Sequence, residues 1–168
     1  MSELRSIGVV GIKMGDIAVG GGMGTSLTDV GKIFKDSAEL SQEDSSVTDF
    51  ESEQDDDPIE SVEKLGKKTL KFSITDYTPT TLEKFLGGDA TGTAPADSWG
   101  SPSTSPELEQ SIEITTNKLV ISIARCKVRA KLNMKLGKTS MALIDVVCQI
   151  LVPTDGVTAP VVIERVTA

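Results

Sequence analysis

Residues 125–136 restrict the fold of this chain more than any other stretch. Cys126, Val128, Ala130, Leu132, Met134 and Leu136 alternate with Arg125, Lys127, Arg129, Lys131, Asn133 and Lys135. A strand sends successive side chains to opposite faces, so a period of two makes one face apolar and the other cationic. A helix would scatter both sets around its axis. The segment therefore predicts a strand with one face on a core and the other turned to solvent or to a partner.

The same reasoning applied along the chain predicts further strands. In residues 68–75, Leu70, Phe72 and Ile74 alternate with Lys71, Ser73 and Thr75, the pattern of a half-buried strand. Residues 141–152 are apolar but for Asp145 and Gln149, which fits a strand buried on both faces or lying between subunits. Residues 6–13 and 16–19 read as an opening pair around Met14-Gly15-Asp16, and residues 30–34 as a short strand. Residues 111–114 and 118–123 flank a Thr115-Thr116-Asn117 turn, and 161–166 follow the turn Pro153-Thr154-Asp155-Gly156. One helix is expected: Thr78 supplies a cap, Pro79 a first-turn proline, Leu82, Phe85 and Leu86 an apolar stripe, and Gly87-Gly88 a stop.

With 168 residues the chain has the length of one domain. Two polar stretches read as long loops within it. Residues 36–60 hold eleven Asp and Glu and no Lys or Arg, so this loop is solvated or faces cations. Residues 87–106 are rich in Gly, Ser, Thr, Ala and Pro around the single tryptophan, Trp99.

The chain contains no histidine and two cysteines, Cys126 and Cys148. The first fact removes the commonest general base, the commonest zinc ligand and every histidine-dependent nucleophile. The second excludes a disulfide framework or a four-thiolate metal site and points to a reducing compartment. A net charge of −8 repels phosphate, which argues against nucleic-acid binding as the main activity. No run is long enough to span a bilayer, and the apolar stretch Ile7 to Val10 is too short for a secretory leader, so no membrane association or export by that route is expected.

No motif in the sequence names a catalytic centre. Gly20, Gly21, Gly22 and Gly24 lack the Lys-Ser/Thr of a phosphate loop, and Thr25 and Leu27 stand where a dinucleotide fingerprint needs glycine, so a close backbone approach is the reading. Asp55, Asp56 and Asp57 lack the spacing of a calcium loop; they are solvated or pair with cations of a neighbouring subunit. Arg125, Lys127, Arg129 and Lys131, continued by Lys135 and Lys138, form a stripe without interleaved aromatic residues, and it is either a solvated face or a partner-facing one. Cys126 and Cys148 fall on apolar faces and read as core residues. Trp99 anchors its loop on the domain or on a neighbour. Carboxylate or Ser/Lys pairs remain for an enzyme, and no spacing singles one out.

The order of elements resembles the tail-tube (major tail) proteins of bacteriophages. The resemblance rests on Leu70-Lys71-Phe72-Ser73-Ile74-Thr75, on Leu82-Glu83-Lys84-Phe85-Leu86-Gly87-Gly88 and on Val152-Pro153-Thr154-Asp155-Gly156, and it covers most of the chain. It implies a mainly β fold, a two-sheet β-sandwich or partial barrel flanked by one short α-helix. It also implies a non-enzymatic subunit, without cofactor or metal, joining hexameric rings that stack into a tube through which DNA passes unbound. Other tail proteins would be its partners, the virion its location and the host cytoplasm its place of assembly. Loop 36–60 matches the family loop that reaches an adjacent ring; the insertion 87–106 and the cationic strand depart from the pattern.

Together these readings place a subunit interface on Asp55, Asp56, Asp57, Arg125, Lys127, Arg129 and Lys131. The competing expectation is a monomeric β-sandwich that holds a cation or a carbohydrate with the acidic loop and Trp99.

Overall fold

The computed structural model describes residues 4–166 and, for Asp56, the backbone alone. Among these, twelve strands and one helix follow in chain order: β1 (Val9–Gly15), β2 (Thr28–Asp29), β3 (Glu39–Gln42), β4 (Ser46–Ser52), β5 (Asp55–Lys64), β6 (Lys68–Ile74), α1 (Pro79–Leu86), β7 (Asp89–Thr91), β8 (Ser98–Gly100), β9 (Leu108–Thr116), β10 (Leu119–Asn133), β11 (Leu143–Ile150) and β12 (Val161–Arg165). The protein is mainly β with a single short helix, as its periodicities require.

The main sheet is antiparallel and runs β2-β1-β9-β10-β11-β6-β3, with β12 added beside β10. Its spine is β10, 15 residues long. Along its first half β10 lies between β9 and β12; along its second half it pairs with β11. The change falls where the register against β9 shifts, between Ile123 and Cys126. A bulge of this kind bends a strand and sharpens its twist. Because β12 and β11 succeed each other on one side of β10, the sheet divides into two leaves, β2-β1-β9-β10-β12 and β10-β11-β6-β3. This is a β-sandwich-like arrangement in which the outer strands β2 and β3 are not paired with each other, so the barrel stays open.

The core lies between the leaves. Ile12 and Met14 of β1, Ile112 and Ile114 of β9, Ile123, Cys126 and Val128 of β10, Ile144, Val146 and Cys148 of β11, and Leu70, Phe72 and Ile74 of β6 form one buried cluster. Register aligns them in rows, Val128 with Cys148 and Leu70, and Ala130 with Val146 and Phe72. Helix α1 buries Leu82 and Phe85 in the same cluster. Its last turn closes on Gly87, whose N–H donates to the Glu83 carbonyl at φ 70°, a conformation natural to glycine.

Several sequence expectations are corrected. Residues 16–19 form no strand; β1 pairs instead with β2 and β9. Residues 30–34 contribute one bridge, Ile33 to Ile74, rather than a strand. Thr78 occupies the N-cap position without capping through its side chain, and Asp76 instead accepts from the Thr78 N–H (3.1 Å) and the Thr81 hydroxyl (2.8 Å). Segment 141–152 is not buried on both faces, since β11 alternates buried Ile144, Val146 and Cys148 with half-buried neighbours.

The two expected loops are also folded. Residues 87–106 contain the hairpin β7–β8, and residues 36–60 contain β3, β4 and most of β5. The acidic count hid the β-branched residues Val47, Thr48, Ile59 and Val62, which suit strands. Register then removes the electrostatic objection: Glu63 lies opposite Val47, Glu60 opposite Phe50, Asp49 opposite Ser61 and Asp55 opposite Ser52. In these pairs no carboxylate directly faces another, the arrangement that would destabilise a hairpin.

Candidate functional site

The outward face of β10 carries the four cations of the expected interface, and the structure divides them. Arg125 donates from Nε to Glu109 Oε2 (2.9 Å) and from Nη2 to Oε1 (3.0 Å), and its Nη1 reaches the Val152 carbonyl (3.2 Å). Lys127 Nζ donates to Glu107 Oε1 at 2.8 Å. The Lys127 ammonium holds the Glu107 carboxyl below the usual carboxylate range, and the Arg125 guanidinium does the same for Glu109. Half the stripe is thus neutralised by the subunit itself. Arg129 and Lys131 are exposed and have no ion-pair partner among the described residues. Asp145 lies opposite Lys131, but its carboxylate accepts from Ser73 Oγ (2.7 Å) and Asn133 Nδ2 (2.8 Å).

The apolar face of the same segment is buried only in part. Cys126 and Val128 are in the core, whereas Leu132 and Met134 emerge and Leu136 is 90% exposed. The turn joining β10 to β11 adds exposed Met141 and the cations Lys135 and Lys138. The alternation of residues 125–136 did not reveal this: the strand ends at Asn133, Leu132 already lies past the core, and Met134 and Leu136 belong to the turn that follows. Gly137-Lys138-Thr139-Ser140 was the available turn signal.

The acidic partner of the expected interface is an arm. β4 and β5 pair with each other and join no other sheet. Of the side chains described on the two strands, all but Ser52 are exposed, including Phe50 at 54% and Ile59 at 66%. Asp55 and Asp57 lie near its tip, Asp55 accepting from Ser52 Oγ at 3.3 Å; the side chain of Asp56 is outside the described residues. The base of the arm is a neck, where Glu43 N–H donates to the Lys67 carbonyl (2.9 Å) and a Cβ at Gly66 would collide with the Glu43 carbonyl. The structure does not bring Asp55 or Asp57 into an ion pair with Arg125, Lys127, Arg129 or Lys131 of the same chain.

The remaining candidates take structural roles. The glycine cluster packs on the turn after β11: a Cβ at Gly22 would strike the Asp155 carboxylate, and Gly24 N–H donates to Ser111 Oγ at 2.9 Å. Cys126 and Cys148 are buried and free, and the neighbouring Cys126 thiol together with burial pushes the Cys148 thiol up, so it stays protonated. Trp99 is the anchor of its own hairpin, donating from Nε1 to the Gly87 carbonyl at 2.9 Å while its ring packs on the core. Among the described residues no group of three or more Cys, Asp or Glu is placed to hold a metal ion, and no helix is long and apolar enough to cross a membrane.

No family model matches the chain, and no curated protein is significantly similar to it.

Proposed function

We propose that this protein is a structural subunit that assembles with copies of itself, in rings that stack into a tube of the phage-tail kind, a conduit for DNA rather than an enzyme. The observation that carries this reading is the β4–β5 arm. An isolated two-stranded hairpin is marginal in water, and this one presents Val47, Phe50, Ile59 and Val62 to solvent without a layer to cover them. An arm that gains its missing layer from a neighbour is stable in the assembly. Unpaired strand edges point the same way: β3 and β12 each have one neighbour, and such edges invite pairing with another chain.

Charge segregation within the subunit supports copy-to-copy contact, since Arg129 and Lys131 form no ion pair among the described residues and the arm is strongly acidic. The reading as a monomeric ligand-binding module has weaker support. Its proposed anchor, the Trp99 indole, already spends its one N–H on Gly87.

Negative-stain microscopy and sedimentation of the purified chain test the proposal. Rings, tubes or a large defined oligomer are expected. Because the Debye length falls to about 3 Å at 1 M salt, association through charge should weaken as salt rises. A strictly monomeric protein at low salt and high concentration would overturn the reading.

A further inference from the structure

The arm needs a receiving surface, and the distribution of charge on this molecule leaves one with the right chemistry. We propose that the turn between β10 and β11 of one copy receives the β4–β5 arm of another; this rests on the assembly reading above and specifies its contact.

Charge selects the surface. Residues 46–64 contain eight Asp and Glu and one Lys, whereas residues 129–142 contain four Lys and Arg and neither Asp nor Glu. Arg125 and Lys127 are excluded as receptors because Glu109 and Glu107 already occupy them. The receptor is therefore displaced from the middle of β10 to its far end.

Apolar surface selects it a second time. Met134, Leu136 and Met141 are exposed among the lysines, an arrangement that leaves large side chains in water. On the arm, Thr48 lies opposite Val62 and Phe50 opposite Glu60, so Phe50 and Val62 are diagonal neighbours on one face. An aromatic anchor in an apolar patch, rimmed by opposite charges, is the usual anatomy of a specific interface. Thioether side chains adapt readily to such an anchor. A basic, apolar turn also suits an anionic lipid surface, but a chain of net charge −8 is repelled there, and no such penalty applies to local pairing with its own acidic arm.

Geometry gives the contact a direction. The ten residues of β5 span about 33 Å, and the arm they form with β4 joins no other sheet of the subunit. Donor and receptor are different surfaces of the same chain, so a one-way contact between successive copies is head-to-tail and propagates into a ring or a filament, whereas reciprocal exchange between two copies closes as a two-fold dimer.

Three chains test this: the wild type, one with residues 46–64 replaced by Gly-Gly-Ser-Gly across the neck, and one carrying Met134→Ser, Lys135→Glu, Leu136→Ser and Lys138→Glu. Sedimentation velocity is run on each and on an equimolar mixture of the two variants, with circular dichroism verifying that each is folded. The wild type is expected to assemble and each variant alone to associate at least about tenfold more weakly. The mixture should stop at a heterodimer, because it contains one intact arm and one intact receptor per pair. Should the quadruple variant misfold, Lys135→Glu/Lys138→Glu alone is expected to weaken assembly in the same direction. A receptor variant that assembles like the wild type, or a mixture that forms no heterodimer, overturns the docking site while leaving assembly standing. A monomeric wild type overturns both. Sedimentation of the armless chain with phosphatidylcholine–phosphatidylserine vesicles, abolished by the same four substitutions, would reassign the turn to lipid and overturn the proposal.

Discussion

Arg125 grips Glu109 across the β9–β10 ladder with two hydrogen bonds, of 2.9 and 3.0 Å. This fork-to-fork pairing fixes the guanidinium in a way that a single lysine contact does not. It separates the cations of one strand into two populations, those serving the subunit and those left over.

That separation is directly testable. Arg125→Glu places two carboxylates side by side and should lower the melting temperature of the subunit, with Glu109→Arg restoring it in the double variant. Arg129→Gln/Lys131→Gln, which removes the charges without setting a new carboxylate opposite Asp145, should leave the melting temperature of the subunit nearly unchanged and impair assembly. Thermal denaturation and sedimentation on the same samples distinguish the two effects; equal loss of stability in both would refute the division.

The pH dependence follows from Glu107 and Glu109, whose carboxyls are held below their ordinary value of 4.5 by Lys127 and Arg125. A depressed folded-state pKa contributes stability that is present above the unfolded value and disappears as pH falls through the folded one. The stability difference between wild type and Glu107→Gln/Glu109→Gln should therefore be constant from neutral pH down to about 5 and shrink below that. Urea midpoints measured across this range check it.

The two thiols should be silent in the folded protein. Contact with Cys126 and burial raise the Cys148 pKa, and both side chains are fully enclosed. Ellman's reagent at pH 8 is expected to label neither cysteine in buffer and both in guanidinium chloride. Rapid labelling of the native chain would contradict the burial.

Identical-looking apolar positions should differ sharply in cost. Phe72→Ala empties a buried site and is expected to destabilise by about 3–5 kcal/mol. Leu136→Ala, on the exposed turn, should stay within about 0.5 kcal/mol. Chemical denaturation of the two variants at low protein concentration measures both.

Trp99→Phe keeps the ring on the core and removes the bond to the Gly87 carbonyl, so a loss of about 1 kcal/mol is expected. As the sole tryptophan, Trp99 makes the wild-type transition visible by fluorescence, and circular dichroism follows the variant.

Much of the fold was legible from local pattern. The strict alternation at Leu70, Phe72 and Ile74 and at Cys126 and Val128 placed β6 and β10, and the Pro79 start with the Gly87 stop placed α1. The arm was not legible, because composition and periodicity disagreed there. Eleven carboxylates argued for a loop, while the favourable pairing of Glu60 with Phe50 and Glu63 with Val47 exists only once a register is chosen. For the candidate interface, the residue types were readable and their partners were not. Glu107 and Glu109 lie 20 and 16 residues from Lys127 and Arg125, a separation across which sequence gives no distance.

By itself, the sequence determined that the chain forms mostly strands with one helix, which faces of those strands are apolar, and that opposite charges occupy separate segments. These are consequences of side-chain spacing along a backbone whose periodicity is fixed. Only the tertiary structure decided which apolar residues are covered, because Val128 and Leu136 share a periodicity and differ in whether another layer lies above them. It also decided which cations are free: Glu109 of β9 and Glu107 just before it reach Arg125 and Lys127, β9 pairs no further along β10 than Val128, and Asp145, which β11 sets opposite Lys131, is held by Ser73 and Asn133 instead.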